Sequence, residues 1–401
     1  MAVGNGDLGV LHPVSGITMA AVSAGIKKPG RLDCVVFSLS DAACVAGSFT
    51  RNAFCAAPVT LCRQHLAITS PHYFVINTGN ANAGTGKAGM ENARRVCLEI
   101  AELKSLPVNT ILPFSTGVIG VQLPVEKITD VLPEALGQLQ EDKWLDCAKG
   151  IMTTDTRPKG ASVQVEIDGK TVTITGIAKG AGMIRPNMAT MLAFVFTDAK
   201  IESKALQAML DLVVNKSFNR ITVDSDTSTN DSCMLVSSGK SEVQIDENNA
   251  EFMAALNSVF VSLAHGLVRD AEGATKFVTI SVEEGANQQE CLQLAYTVAE
   301  SPLVKTALFA SDPNWGRILA ATGRAGIEGL DIEKVAIYLD DVCIVENGAV
   351  AASYTEDAGQ KVMEQEEITI LITLGRGQCS ETVWTSDLSH EYVTINAEYR
   401  T

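Results

Sequence analysis

Lys179–Ala199 reads KGAGMIRPNMATMLAFVFTDA and follows TVTITGIA at Thr171–Ala178. The β-branched run before it has the composition of a strand, and Met191–Phe196 is apolar enough to be a second strand buried on both faces. Between them lie a glycine-bearing loop (Gly180, Gly182) and a Pro186–Asn187 turn. Thr190 stands at the junction of loop and strand, where glycines permit unusual dihedrals and the apolar strand anchors the chain downstream. On pattern alone it is a candidate functional hydroxyl or simply the residue that opens a buried strand.

Outward from this pair, strand and helix periods alternate along the whole chain. Val35–Leu39 and Tyr73–Asn77 read as short buried strands. Met90–Leu103, Lys204–Phe218 and Ala250–Val268 carry helical stripes, as does Val125–Leu139, with a break expected at Pro133. Val335–Leu339, Ile368–Leu374 and Tyr392–Ala397 read as further strands. Asp340–Asp341 between Val335–Leu339 and Val342–Val345 suits a hairpin, which argues against a purely parallel sheet. The class expected is mixed α/β, with a smaller C-terminal lobe of about 284–401 beginning near the polar stretch Glu283–Gln289.

The chain has 401 residues, 46% of them hydrophobic and 19% charged, which suffices for a large core and excludes wholesale disorder. Lys plus Arg total 31 against 47 acids, a net charge of −16 that repels nucleic acid and anionic lipid. Small molecules are the expected partners. The N-terminal stretch lacks a basic and apolar leader and no apolar run approaches the ~18 residues of a span, so a cytoplasmic location is expected. The ten cysteines form no CxxC pair and read as reduced, mostly buried thiols. Neither they nor the five histidines show zinc-type spacing, so no metal is expected.

Three motifs fail on their letters. Asn77–Ala93, NTGNANAGTGKAGMENA, has the strand–loop–helix layout of a phosphate loop, yet Ala81 holds the first glycine position and Ala88 the magnesium-binding hydroxyl position. Asp224–Asp231, DSDTSTND, begins like a calcium loop, but Thr229 and Leu235 occupy the glycine and glutamate positions. A turn rich in Asn and Gly and an Asx/Ser/Thr turn explain them better. No G-x-S-x-G elbow supports a Ser-His-Asp triad.

Several blocks acquire meaning together: STGVIG at Ser115–Gly120, IMTTDTRPKG at Ile151–Gly160, GMIRPNMATML at Gly182–Leu192, SDTSTNDS at Ser225–Ser232, RDAEGATK at Arg269–Lys276, SDPNWGRILAA at Ser311–Ala321 and the terminal YVTINAEYRT. In this order, and from AGIKKPGRLD onward, the chain resembles the ornithine acetyltransferase (glutamate N-acetyltransferase) family of arginine biosynthesis. The resemblance implies stacked mixed sheets flanked by helices, and an enzyme that moves acetyl from N-acetylornithine to glutamate without a cofactor. Acetyl-CoA is a candidate second donor that no block decides.

It further implies self-cleavage between Ala189 and Thr190 into an α chain (1–189) and a β chain (190–401), assembled as an α2β2 heterotetramer. Thr190 becomes the nucleophile, Thr116 and Gly117 the oxyanion hole, and Thr153, Lys179, Thr190, Glu272, Asn396 and Thr401 the substrate contacts. Lys179 is the expected cation for the α-carboxylate and Glu272 the partner of the ornithine ammonium. The alternatives are a self-processed N-terminal-nucleophile aminopeptidase or amidase and a non-catalytic acidic binding protein.

Overall fold

A computed structural model describes residues 2–26, 29–185 and 191–398. It divides into two compact units, one of Asp7–Asn219 with Thr227–Leu267, the other of Met1–Gly6, Arg220–Asp226 and Val268–Thr401. The mixed α/β class expected from the sequence is what the structure shows.

In the larger unit two sheets stack face to face. A four-stranded sheet has the order Ile17–Val22, Cys34–Leu39, Tyr73–Asn80 and Ile111–Val118, the first two pairings antiparallel and the last parallel. A five-stranded sheet has the order Cys44–Phe49, Ser232–Ser237, Leu192–Thr197, Lys170–Lys179 and Lys159–Ile167. Alternation along one strand assigns its side chains to two cores. Val35, Phe37 and Leu39 face the inter-sheet core, whereas Cys34 and Val36 face the layer containing helix Gly86–Lys104. This double burial is why CVVF reads as an unbroken apolar run. Phe37, Phe74 and Phe114 of one sheet meet Phe194 and Phe196 of the other. The ring centroids of Phe37 and Phe196 lie 4.9 Å apart, and Phe114 stands edge-on to Phe194 at 5.0 Å.

The outer face of the five-stranded sheet is covered by helices. Gly176 is needed there, because a Cβ would stand 3.1 Å from Leu263 Cδ1 and 2.8 Å from Val195 Cγ2. Ala250–Arg269, which carries Leu263, has the length and hydropathy of a span, contrary to the expectation that no such run exists. Half of that window is buried, with Phe252, Leu256, Phe260 and Leu263 inside the protein.

The second unit is built on a seven-stranded mixed sheet in the order Ile221–Thr222, Cys379–Ser386, Phe277–Gly285, Glu367–Thr373, Ala336–Leu339, Val342–Glu346 and Ala349–Val350. Its core joins those strands to Leu294 and Val298 of helix Gln288–Ala299 and to Val304 and Leu308 of helix Pro302–Phe309. The expected hairpin at Asp340–Asp341 is present, Ala336–Leu339 pairing antiparallel with Val342–Glu346. The longest segment of the unit begins at Val268, upstream of Glu283–Gln289, and Phe277–Gly285 is a central strand of its sheet.

Two elements differ from the sequence reading. Tyr392–Ala397 is helical, within His390–Ala397, rather than a strand. Ser389 caps it by accepting from the Tyr392 amide at 3.4 Å, Glu391 lies in its first turn, and none of its residues is buried. The stretch 125–139 forms two helices, Val125–Thr129 and Leu132–Gly137, so the break precedes Pro133. Proline in the second position of a new helix has no intrahelical bond to lose, whereas in the middle of one long helix it would clash with the carbonyl four residues back.

Candidate active site

The strand Ile111–Val118 ends in the STG turn beside Tyr73–Asn80, with Thr116 opposite Thr78 and Gly117 opposite Gly79, and a register shift at Asn80. Gly117 has φ +134°, and a Cβ on it would lie 2.4 Å from the Gly79 carbonyl carbon and 2.6 Å from the Asn80 nitrogen. Only glycine fits, since both obstacles are backbone. The turn is braced by side-chain amides. Asn77 accepts from Ser115 Oγ at 2.6 Å and donates to the Asn80 carbonyl at 2.9 Å. Asn230 donates to the carbonyls of Ala81, at 2.5 Å, and Ser115, at 2.9 Å. Asn230 belongs to the DSDTSTND stretch, so part of that polar turn serves to hold the STG strand.

Lys179, last residue of the strand Lys170–Lys179, reaches the same place. Its Nζ donates to Thr116 Oγ1 at 3.0 Å, and the two residues are only 9% and 8% exposed. Gly180 follows, its amide donating to Asp155 Oδ1 at 2.7 Å. Asp155 also accepts from Lys159 Nζ at 2.5 Å and from the Thr153 amide at 2.9 Å, with 0% of its side chain exposed. Burial alone would push this carboxyl up. The Lys159 and Lys179 ammonium groups, with the hydrogen bonds, outweigh it and hold Asp155 below the usual carboxylate range. Arg31 donates to the carbonyls of Met152 and Thr153, so the loop that carries Thr153 is pinned from both sides.

The structure thus brings Thr116, Gly117, Lys179 and the Thr153 backbone into one hydrogen-bonded region of the larger unit. In the other unit Asn396 donates to Glu272 Oε2 at 2.8 Å and to the Tyr392 carbonyl at 3.0 Å. Helix formation at His390–Ala397 puts Asn396 one turn after Tyr392, which permits the second bond. Tyr392 donates to Asp224 Oδ2 at 3.2 Å; burial, and then the Asp224 charge, pushes its phenol well up. Ala189, Thr190 and Thr401 lie outside the described residues.

The ArgJ family profile matches residues 18–401. The chain belongs to the ArgJ family. It is 58% identical over 406 aligned positions, with 100% of both chains covered, to the Arginine biosynthesis bifunctional protein ArgJ of Pseudomonas fluorescens (strain Pf0-1). It is 53% identical to the protein of the same name in Methylococcus capsulatus, with 98% of this chain and 97% of that one covered. Among solved structures, that of the Arginine biosynthesis bifunctional protein argJ from Bacillus halodurans is 36% identical, with a TM-score of 0.48, covering 50% of this chain and 95% of that chain. The family's enzymes are acetyltransferases of arginine biosynthesis, and this ArgJ-family chain is an acyltransferase of that class.

Sequence reasoning on the ArgJ-family chain missed Asp155, Lys159, Arg31 and Asn230. The first two lie inside the block IMTTDTRPKG, four positions apart, a spacing that signals an ion pair on a helix but falls here on a loop leading into a strand. All ten cysteines are free thiols. Burial pushes Cys34 up to about 12 and also raises Cys62, Cys97, Cys147 and Cys233, which suits packing rather than nucleophilic attack.

Proposed function

We propose that the chain transfers acetyl from N-acetylornithine to glutamate through an acetyl ester on Thr190, after cleaving itself between Ala189 and Thr190 into chains 1–189 and 190–401. The observation that supports this most is the STG turn, with a buried hydroxyl next to a glycine amide in a backbone conformation that excludes any side chain. That is the donor pair a tetrahedral oxyanion requires.

In the first half-reaction the freed α-amine of Thr190 takes the proton of its own hydroxyl; α-amines titrate at about 7.7–8.0, so a usable fraction is unprotonated near neutral pH. The oxygen attacks the acetyl carbonyl carbon, the carbonyl electrons move onto oxygen, and Thr116 and Gly117 donate to it. Collapse breaks the C–N bond, the ornithine nitrogen takes the proton, and acetyl remains as an ester. In the second half-reaction the glutamate amine attacks the ester carbonyl, the proton passes by the α-amine to the departing Thr190 oxygen, and N-acetylglutamate leaves. On the family resemblance, Glu272, which accepts from Asn396, is the carboxylate for the ornithine ammonium, and Thr153 and Thr401 are further substrate contacts. Acetyl-CoA as an additional donor, an α2β2 assembly and a cytoplasmic location belong to the same reading.

Intact-mass analysis combined with a transfer assay tests it. The expected outcome is two chains divided before Thr190, transfer from N-acetylornithine to glutamate, and a Thr190→Ala chain that is neither cut nor active, while Thr190→Ser retains some cleavage. Cleavage of Thr190→Ala at the normal rate refutes it. Free acetate in place of N-acetylglutamate would make the chain a hydrolase instead.

A further inference from the structure

We infer that Lys179 acts through Thr116: its ammonium fixes and strengthens the threonine hydroxyl as a donor to the oxyanion, and Asp155 anchors the strand end from which Lys179 reaches. The inference rests on the acyl-transfer reading of the STG turn and assigns Lys179 a task other than gripping a substrate carboxylate.

A hydroxyl offers one proton and two lone pairs, whereas an ammonium only donates. Lys179 Nζ, 3.0 Å from Thr116 Oγ1, therefore occupies a lone pair and cannot receive the hydroxyl proton. That proton is left to point at a different acceptor, which is the orientation an oxyanion donor needs before the reaction begins. Accepting from a cation also polarises the O–H bond, and linked hydrogen bonds strengthen one another by roughly 10–30% each. Both residues are buried, so water does little to screen the effect.

The geometry behind Lys179 is as specific. Gly180, the next residue, has φ +152° and is tied by its amide to Asp155 Oδ1 at 2.7 Å. Asp155 is held in turn by Lys159 and by the Thr153 amide. A fully buried carboxylate thus fixes the end of the strand one residue beyond Lys179, and the Lys179 charge is among those that hold that carboxyl below its usual range. Lys179 and Asp155 are positioning residues here; Thr116 is the group that meets the reacting atoms.

p-Nitrophenyl acetate separates the two tasks, because it acylates a nucleophile and carries no amino-acid carboxylate. The experiment measures its acylation rate on the full, processed enzyme, with the Thr190→Ala chain as blank, for K179M, T116V, T116S and the two double variants. Steady-state kinetics with N-acetylornithine and glutamate run alongside. Loss of a complete oxyanion donor costs roughly 10²–10³ in rate, so K179M, which weakens the donor without deleting it, is expected to lower acylation by about 10-fold or more. KM for the amino acids should stay within about threefold. The same loss should recur in T116S, which keeps a hydroxyl, and shrink below about twofold in T116V, which has none.

Unchanged acylation with a raised amino-acid KM would overturn the inference in favour of a carboxylate grip. An equal loss in T116V and wild type would overturn it by showing that Lys179 does not act through the hydroxyl. If K179M fails to fold by near-ultraviolet circular dichroism, K179Q enters the same cycle under the same criterion. Wild-type enzyme that is acylated by the ester yet transfers nothing from N-acetylornithine would sink the substrate assignment while the Lys179–Thr116 coupling is still measured.

Discussion

Asp155→Ala probes the buried network beneath the STG turn. It removes the carboxylate that accepts from Lys159 Nζ, a side chain 3% exposed, and from the Gly180 and Thr153 amides. A buried ion pair that loses one partner costs about 3–5 kcal/mol, since the remaining charge stays uncompensated. Two stranded amide donors, at roughly 1–3 kcal/mol each, overlap with that figure and favour its upper end. At about 2–4 °C per kcal/mol for a unit of this size, the melting temperature should fall by about 6–20 °C. Adding Lys159→Met removes the orphaned charge and should recover at least about 1 kcal/mol, a coupling that a double-mutant cycle in urea measures. The pH dependence has a definite sign. Asp155 titrates below the ordinary aspartate value of 3.8, so its contribution is complete above that pH and is lost as the pH falls below it. The stability gap between wild type and Asp155→Asn should therefore be constant at neutral pH and narrow below about pH 4. A cost under about 1 kcal/mol, or no recovery on removing Lys159, would refute the claim that a compensated buried charge organises this region.

Gly117→Ala should destabilise by about 2–6 kcal/mol, from overpacking at roughly 1–3 and the unfavourable φ at roughly 1–3. It should also lower kcat by about 10² or more by displacing an oxyanion donor; melting curves and acetyl-transfer rates check both, and a near-neutral effect would contradict the 2.4 Å clash. Lys305 is buried and donates to Thr385 Oγ1 at 2.9 Å and to the Ser386 carbonyl. Burial pushes it down to about 8, partly opposed by Asp387, Asp224 and Glu300. Its unfolded form holds the proton between there and 10.5, so stability should rise over that interval, and Lys305→Met should abolish this part of the rise in denaturation midpoints measured from pH 7.5 to about 10.5.

Most of the secondary structure and the family were legible in the sequence alone. Periodicity placed the strands at 171–178 and 191–196, the helix at 250–268 and the hairpin at Asp340–Asp341, because those segments have a buried face or a turn whose pattern is written locally. It misread Tyr392–Ala397, where β-branched residues suggested a strand and Ser389 with Glu391 capped a helix instead; propensity yields to capping on an element that buries nothing. Motif resemblance named Thr116, Gly117 and Lys179 as site residues but left Lys179 as a carboxylate grip. Only the tertiary structure decided that Lys179 donates to Thr116, that Asp155 and Lys159 brace the strand end behind it, and that Asn230 holds the turn from 115 residues away in sequence. These are pairings between distant strands and loops, and a hydrogen bond across them depends on register, stacking and burial, none of which any local run of residues encodes.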